Sequence, residues 1–506
     1  MVNLRLVGNQ PGAAVQVGTV QVARPKRSRT KAVAKSIDAV VYRPAPDLPS
    51  PDTGHVTTKV RPSRSRSGRR SADKTSPQPR RLAHNEQIVP ARSGDHPEIF
   101  QFLLAVFQGP SADEYSSQQD APDYAPHNRM LLKRDGQIAA HAEIVYRTML
   151  FRGRSLPTAR LDWLGTLPEL RQQGYATQLL LRCEQQMRTN GALIGTLRTR
   201  HPHFFRRTGW AICGRQSHSQ APAREVLARL SGKPNPSEPS LSLRLWRHVE
   251  LPSLMRIYSQ NLPGAAGSLV RSEEYWRWLI SRKAFDHIVV AINGRDRMEL
   301  VDTNAPIVGY AVVRQGQVIE LLTSPDHPEA KVQLLRRVCG DTIERNRQSI
   351  MVEAPPADPI HQILVEAGGT FNRHESAAGE VQMVKLLDSA GWIQNLQADL
   401  GRRAREAALP ATSELGFLVN GRKYSLTVRS ASAEKSSAVL VEGRLGRSYL
   451  TLQGNEFTRL LLGHGDVRQA IEQERIVAST QFALEAASAL FPAMPLWRPE
   501  WDDMPA

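Results

Sequence analysis

Cysteine is scarce in this chain. Cys183, Cys213 and Cys339 are the whole supply in 506 residues, and they lie far apart. No Cys-x-x-Cys pair occurs, so neither a disulfide framework nor a zinc site is indicated, and no metal is expected. Long apolar runs are missing as well, which excludes a helix that spans a bilayer. The N-terminus Met1-Val2-Asn3-Leu4-Arg5 lacks the apolar core of a signal peptide. These absences together point to a reducing cytoplasm.

Aromatic residues are nearly absent where positive charge is densest. Residues 1–92 carry a net charge of +13 out of +17 for the whole chain, so the other 414 residues hold only +4. Runs such as Arg24-Pro25-Lys26-Arg27-Ser28-Arg29 and Arg61-Pro62-Ser63-Arg64-Ser65-Arg66 have too little apolar content to build a core. Such a segment can touch nucleic acid or an anionic surface. The lack of interleaved rings favours a solvated, disordered extension over 1–92 instead.

What is present begins with Arg171-Gln172-Gln173-Gly174-Tyr175-Ala176. Before it, Ala159, Leu161 and Trp163 alternate with Arg160 and Asp162, which predicts a strand. Leu164-Gly165-Thr166-Leu167-Pro168 ends that strand, because proline cannot continue a ladder. After it, Ala176, Leu179, Leu180, Cys183 and Met187 recur with helical rhythm. Gly174 therefore sits where a loop becomes a helix. The first N–H groups of a helix lack internal partners and carry partial positive charge. A glycine there lets a phosphate approach, and Arg171 adds a cation. An ordinary strand-loop-helix turn is the alternative; the ordered context favours the phosphate cradle.

Around the motif the elements alternate as in a mixed α/β domain over 93–230. Pro97 to Phe107 is an amphipathic helix, and Met130 to Phe151 a hairpin turning at Asp135-Gly136. Residues 231–240, Ser231-Gly232-Lys233-Pro234-Asn235-Pro236 and onward, form a linker by composition. A second unit over 241–388 repeats the order, with strands at Ile307 to Val313 and Gln317 to Leu322 and a helix at Val332 to Arg345. Its loop Thr323-Ser324-Pro325-Asp326-His327-Pro328-Glu329 has neither glycine nor arginine and carries two acidic residues. It is expected to pack rather than to hold a phosphate. A third unit, 389–506, has short strands at 415–418, 423–428, 438–442 and 449–452, then two helices.

Residues Arg171 to Ala176 resemble, position by position, the Arg/Gln-x-x-Gly-x-Gly/Ala signature of the GNAT superfamily of N-acetyltransferases. The resemblance implies that acetyl-CoA or another acyl-CoA binds as co-substrate. Its pyrophosphate would lie on Arg171, Gln172, Gln173, Gly174, Tyr175 and Ala176, and its pantetheine arm along Leu164, Gly165 and Thr166. Leu461-Leu462-Gly463 and Leu490-Phe491-Pro492, with the strands before them, resemble the sterol-carrier-protein fold. Two tandem GNAT-like mixed sheets with flanking helices, then a small sterol-carrier-like α+β domain, is the architecture of the enhanced-intracellular-survival acetyltransferases. That group implies a homo-oligomer and transfer of an acetyl group to a primary amine of unspecified identity.

The chemistry needs a base, and preferably an acid, beside the thioester. In many members of the superfamily a tyrosine supplies the proton. The matching position here is Phe205, in Phe204-Phe205-Arg206-Arg207-Thr208-Gly209-Trp210, and it has none to give. For the base, Asp162 is the local candidate, with solvated strand aspartate or partner of Arg160 as the plain alternative. Glu143 and His141 on the preceding hairpin are substitutes. In the enhanced-intracellular-survival group the C-terminal carboxylate enters the active site, which here points to Ala506 at the end of Trp497-Arg498-Pro499-Glu500-Trp501-Asp502-Asp503-Met504-Pro505-Ala506. Trp497 and Trp501 suit the tail for docking, either there or as a clamp onto the third unit. A non-catalytic acyl-CoA-binding protein and a lipid carrier are the rival readings.

Overall fold

The computed structural model describes residues 82–214, 216–231, 241–294, 306–373, 379–430, 432, 435–494 and 496–503. Three sheets organise them. The first runs Glu86–Pro90, Arg129–Arg134, Gln137–Phe151, Arg154–Thr166, Ile194–Thr199, Val381–Leu386, Ala211–Ile212, and Ala266–Leu269 also pairs with Gln137–Phe151. The second runs Thr370–Asn372, His218–Pro222, Ser349–Glu353, Gln317–Thr323, Ile307–Arg314, His287–Asn293, Leu241–Leu245. The third has five strands, Ser437–Glu442, Arg422–Arg429, Thr412–Val419, Tyr449–Leu452 and Ile476–Ala478. Among the described residues no helix is long and apolar enough to cross a membrane.

Local chemistry explains the elements near the motif. Asp135 and Gly136 both have positive φ (52° and 83°), the conformation of a tight hairpin turn. The helix Tyr175–Thr189 buries Leu179, Leu180, Cys183 and Met187 against the first sheet, the face that the spacing predicts. The helix His96–Phe107 opens on Pro97 and covers the sheet with Ile99, Phe102 and Leu103.

The boundaries expected from composition need correcting. The stretch 1–92 contains a strand: Glu86–Pro90 lies at the edge of the first sheet and pairs residue by residue with Arg129–Arg134. Residues 1–81 lie outside the described residues, as do residues 232–240 of the linker. The two α/β units also exchange strands. His218–Pro222, expected at the end of the first, pairs with Ser349–Glu353 of the second. Val381–Leu386, expected at the end of the second, pairs antiparallel with Ile194–Thr199 and completes the first. Met383 and Val384 are fully buried by it. A linker marks where the chain is solvated, but strand pairing between distant segments leaves no local signature. The third unit likewise shares one core with the first: Met149, Phe151 and Leu156 pack in the cluster of Phe417, Phe457 and Leu490.

Candidate active site

The strand Arg154–Thr166 pairs in parallel with Ile194–Thr199 only at Thr158, Ala159 and Arg160. Beyond Arg160 the two strands part, and the edge of Leu161–Thr166 on that side has no strand partner among the described residues. The ladder on the other side fixes which groups face the gap. The N–H of Leu167 donates to Ala139 O (3.0 Å), so Gly165, opposite His141, spends its peptide groups on the neighbouring strand. Thr166 turns its peptide groups into the gap. Of the three residues expected along a pantetheine arm, Thr166 is therefore the one with an open edge. Its Oγ1 is also buried without a partner. Leu164 is half-buried beside a bulge in which Trp163 takes φ 53°. Gly165 has a packing role: a Cβ there would lie 2.7 Å from the Phe107 ring.

The gap ends at the start of the helix Tyr175–Thr189. Gly174 is its N-cap at φ 83°, no side chain caps it, and a Cβ built on Gly174 would meet nothing within 4 Å. Arg171, Gln172 and Gly174 are exposed. Arg171 Nε reaches back to Thr166 O (3.4 Å), which places its guanidinium between strand and helix start. Arg134, not singled out from the sequence, adds a second cation and donates to Gln173 Oε1 (3.4 Å). Tyr175 is buried, and its hydroxyl donates to Glu86 Oε1 (2.6 Å), so it anchors the edge strand. Ala176 follows within the first turn. An uncapped, glycine-faced helix start flanked by two arginines fits a pyrophosphate, and the parted strands fit the arm behind it.

Further along the same strands lies a cavity of about 270 Å³. Its carboxylates are Asp123, Glu143, Asp162, Glu380 and Asp503; its arginines are Arg147, Arg160 and Arg198. Tyr124, Trp163 and Trp278 supply rings. Trp278 comes from the second unit and is held by a bond from its Nε1 to Ser117 O (2.8 Å). Glu143 and Asp162 are direct cross-strand partners. Asp162 Oδ2 accepts from Arg160 Nε (2.8 Å) and Nη2 (2.7 Å), so Asp162 lines the cavity as a partner of Arg160, the plain alternative to a base.

Glu143 rests on a buried network that sequence reasoning missed. Arg129 is fully buried; its Nη2 lies 3.1 Å from Glu143 Oε2, its Nε donates to Tyr124 Oη (3.3 Å), and its guanidinium sits over the Tyr115 and Tyr124 rings. Burial pushes the Glu143 carboxyl up, Arg129 pulls it down, and the nearby Asp162 charge pushes it up again, leaving it above the ordinary value. His141 is a correction. It is fully buried, and burial together with the Arg129 charge pushes its pKa down to about 3. Its Nδ1 donates to Trp163 O (3.1 Å), and its Nε2 faces the donor-only Nη1 of Arg129 (3.4 Å). The ring has no lone pair left for an amine, and it holds the bulge at Trp163 instead.

Phe205 lies in the core, against Phe204 and Trp210 at 4.9 and 6.1 Å between ring centres, and does not line the cavity. The superfamily's tyrosine position is thus a packing position here.

The tail crosses to this cavity by way of the second unit. The expected clamp onto the third unit is replaced by two other contacts: Trp497 N–H donates to Ala266 O (2.8 Å), and Trp501 is fully buried edge-on to Trp276 and Phe285. Asp502 is held by Arg271 through Nε and Nη2 (both 2.9 Å), and Arg271 is shared with Glu320. Asp503 then meets Arg160 Nη1 (2.9 Å) and Arg498 Nη2 (2.7 Å). Burial opposes its charge, but Arg498, Arg160 and Arg198 outweigh burial and hold the carboxyl well below its ordinary range. Ala506 lies outside the described residues. The acidic tail beside two tryptophans was the one signal in the sequence for this strap.

Residues 87–213 match the family described as Acetyltransferase (GNAT) domain. No curated protein matches the chain in sequence. Among solved structures the chain is similar to a GCN5-related N-acetyltransferase from Kribbella flavida, at 15% identity and TM-score 0.60 over 82% of this chain and 97% of that one. It is similar to a GCN5-related N-acetyltransferase from Anabaena variabilis at 16% identity and TM-score 0.61, over 82% and 99%. It is similar to Eis1 from Mycobacterium abscessus at 16% identity and TM-score 0.54, over 81% and 98%. At such identities the likeness is one of fold.

Proposed function

We propose, from the match of residues 87–213 to the acetyltransferase (GNAT) domain family, that this protein is an acyl-CoA-dependent N-acyltransferase that moves an acetyl group from acetyl-CoA to a primary amine. The observation that carries this is one continuous strand. Arg154–Thr166 borders the uncapped helix start at its Thr166 end, and where it parts from Ile194–Thr199 it borders the carboxylate cavity through Arg160, Asp162 and Trp163. A donor held by its pyrophosphate at Gly174 would lay its pantetheine arm along Thr166 and carry its thioester toward Asp162, within reach of an amine in the cavity.

The excess of carboxylates favours a cationic amine, and that amine must lose a proton before its lone pair can attack. Glu143 is the base we assign. It faces the cavity, and its raised proton affinity lies closer to that of an amine than an exposed carboxylate's does. Asp162, fixed by Arg160, orients the ammonium from the adjacent strand. The nitrogen bonds to the carbonyl carbon, the carbon–sulfur bond breaks, CoA leaves as its thiolate, and the nitrogen gives its surplus proton to solvent as the amide forms. With Phe205 in the core no tyrosine protonates it there, and a thiolate is a fair leaving group without one. That same observation favours a second reading, acyl-CoA binding without transfer. Incubating the full chain with radiolabelled acetyl-CoA and a panel of primary amines separates the two. Label on an amine supports the transferase, and CoA binding with neither transfer nor thioester loss supports the binder.

A further inference from the structure

The second sheet repeats the parted strands of the first. Gln317–Thr323 pairs in parallel with Ser349–Glu353 only at Gln317 and Val318. A long helix, Glu329–Glu344, follows the first of these strands and a short one, Ile360–Glu366, follows the second. The near part of this second gap is taken by the chain's own tail, where Gln317 Nε2 donates to Glu500 Oε2 (2.8 Å). The far part stays open as a cavity of about 320 Å³.

The walls of this cavity define what it can take. Leu321 and Leu322 line one side, Pro355 and Pro356 another, and Met494 and Trp497 of the tail close it. The charged groups on it, Lys331 and Asp358, are paired with each other at 2.6 Å and cancel. The entrance that would admit a phosphate is blocked chemically: the helix behind it starts after Pro328 with Glu329 in its first turn, and Glu329 is bonded to His327 (2.9 Å). The strand edge, however, is open. Ser324 N–H donates to Val308 O (2.7 Å), so Leu322 and Glu320 spend their peptide groups on Ile307–Arg314 and Leu321 turns its own into the gap. Ser268 adds a hydroxyl to the lining. Apolar walls with a few convergent polar groups and this volume are the marks of a small-molecule site.

We infer that this cavity is a second ligand site, for a small uncharged amide carrying an apolar chain and no phosphate, which pairs its amide with Leu321 and packs its chain on Trp497. Because Trp497 belongs to the strap that carries Asp503 to the first cavity, an occupant here also steadies the wall of the first cavity.

The test uses the full chain and S-butyryl-N-acetylcysteamine, an uncharged acyl thioester with one amide. Binding is read by calorimetry and by tryptophan fluorescence, with coenzyme A at saturation to occupy the first gap. The expected result is one site per chain. Plugging the cavity with Ala265→Trp, or with Ala357→Trp on an exposed loop, should weaken binding at least tenfold at unchanged melting temperature. Two plugs keep the test alive if one misfolds. Absence of binding to the wild type overturns the inference, and so does binding that survives the plug. The comparison of plugged with unplugged protein is independent of acetyl transfer, so failure of the transferase reading leaves this test intact.

Discussion

Trp501→Ala is the perturbation that most directly probes the strap. Trp501 is fully buried, edge-on to Trp276 at 5.6 Å and Phe285 at 5.8 Å, with the Arg271 guanidinium 5.3 Å from its ring. Removing a buried tryptophan costs about 3–5 kcal/mol, and the two edge contacts account for roughly 0.5–1.5 kcal/mol each within that sum. Residues 496–503 pair in none of the three sheets. The loss therefore appears first in its own docking equilibrium, as a shift of about 10²–10⁴-fold toward the released form, at about 1.4 kcal/mol per factor of ten. Hydrogen exchange followed by mass spectrometry should show residues 496–503 losing protection while Arg154–Thr166 keeps its own. In the transfer assay KM for the amine should rise, because Asp503 leaves the cavity wall. Affinity for acetyl-CoA should stay, because the strap does not touch Gly174. Unchanged protection of 496–503, or an equal loss of amine and acetyl-CoA affinity, would refute the reasoning.

Glu143→Gln should lower kcat about 10²–10⁴-fold with little change in acetyl-CoA affinity, whereas Asp162→Asn should act mainly on KM for the amine; the reverse pattern would make Asp162 the base. Arg171→Ala should weaken acyl-CoA binding by about 1–3 kcal/mol in calorimetry that otherwise gives one pyrophosphate site per chain. A protein starting at residue 82 should keep the full-length melting temperature. One starting at residue 93 should melt lower, because it lacks Glu86–Pro90 and leaves the Tyr175 hydroxyl without Glu86, a loss of about 1–3 kcal/mol from that group alone. Glu353 shares the Gln317 amide with Glu500, and burial first and the Glu500 charge second raise its carboxyl well above the ordinary 4.5. A carboxyl raised in the folded state contributes stability that is complete below 4.5 and is lost as pH rises through its folded value. Glu353→Gln should therefore flatten the decline in chemical-denaturation stability as pH rises above 4.5, and an unchanged slope would place the proton elsewhere.

The strand, loop and helix start at Arg171–Ala176 were legible in the sequence because their physics is local. A strand rhythm, a proline stop, a glycine and a helix rhythm are read within about thirty residues, and the helix Tyr175–Thr189 buries the predicted face. The same locality made the hairpin at Asp135-Gly136 readable, and it exposed the missing glycine and arginine in 323–329. The carboxylate cavity was not legible, because it is assembled from residues that only folding brings together. Asp503 meets Arg160 across more than 340 positions, and Trp278 closes a cavity whose floor is Glu143 and Asp162. His141 read as a base by residue type alone; full burial beside Arg129 decided otherwise, since burial disfavours the charged ring and leaves Nε2 facing a guanidinium donor. The unit boundaries failed for the same reason. The linker composition at 231–240 is a property of solvation, whereas the exchange of His218–Pro222 and Val381–Leu386 between sheets depends on backbone hydrogen bonds between segments far apart in the chain. Period and turn chemistry thus determined the elements and the glycine-faced helix start. Pairing, burial and the path of the tail determined which carboxylates the site contains, and they raise the Glu143 carboxyl and lower that of Asp503.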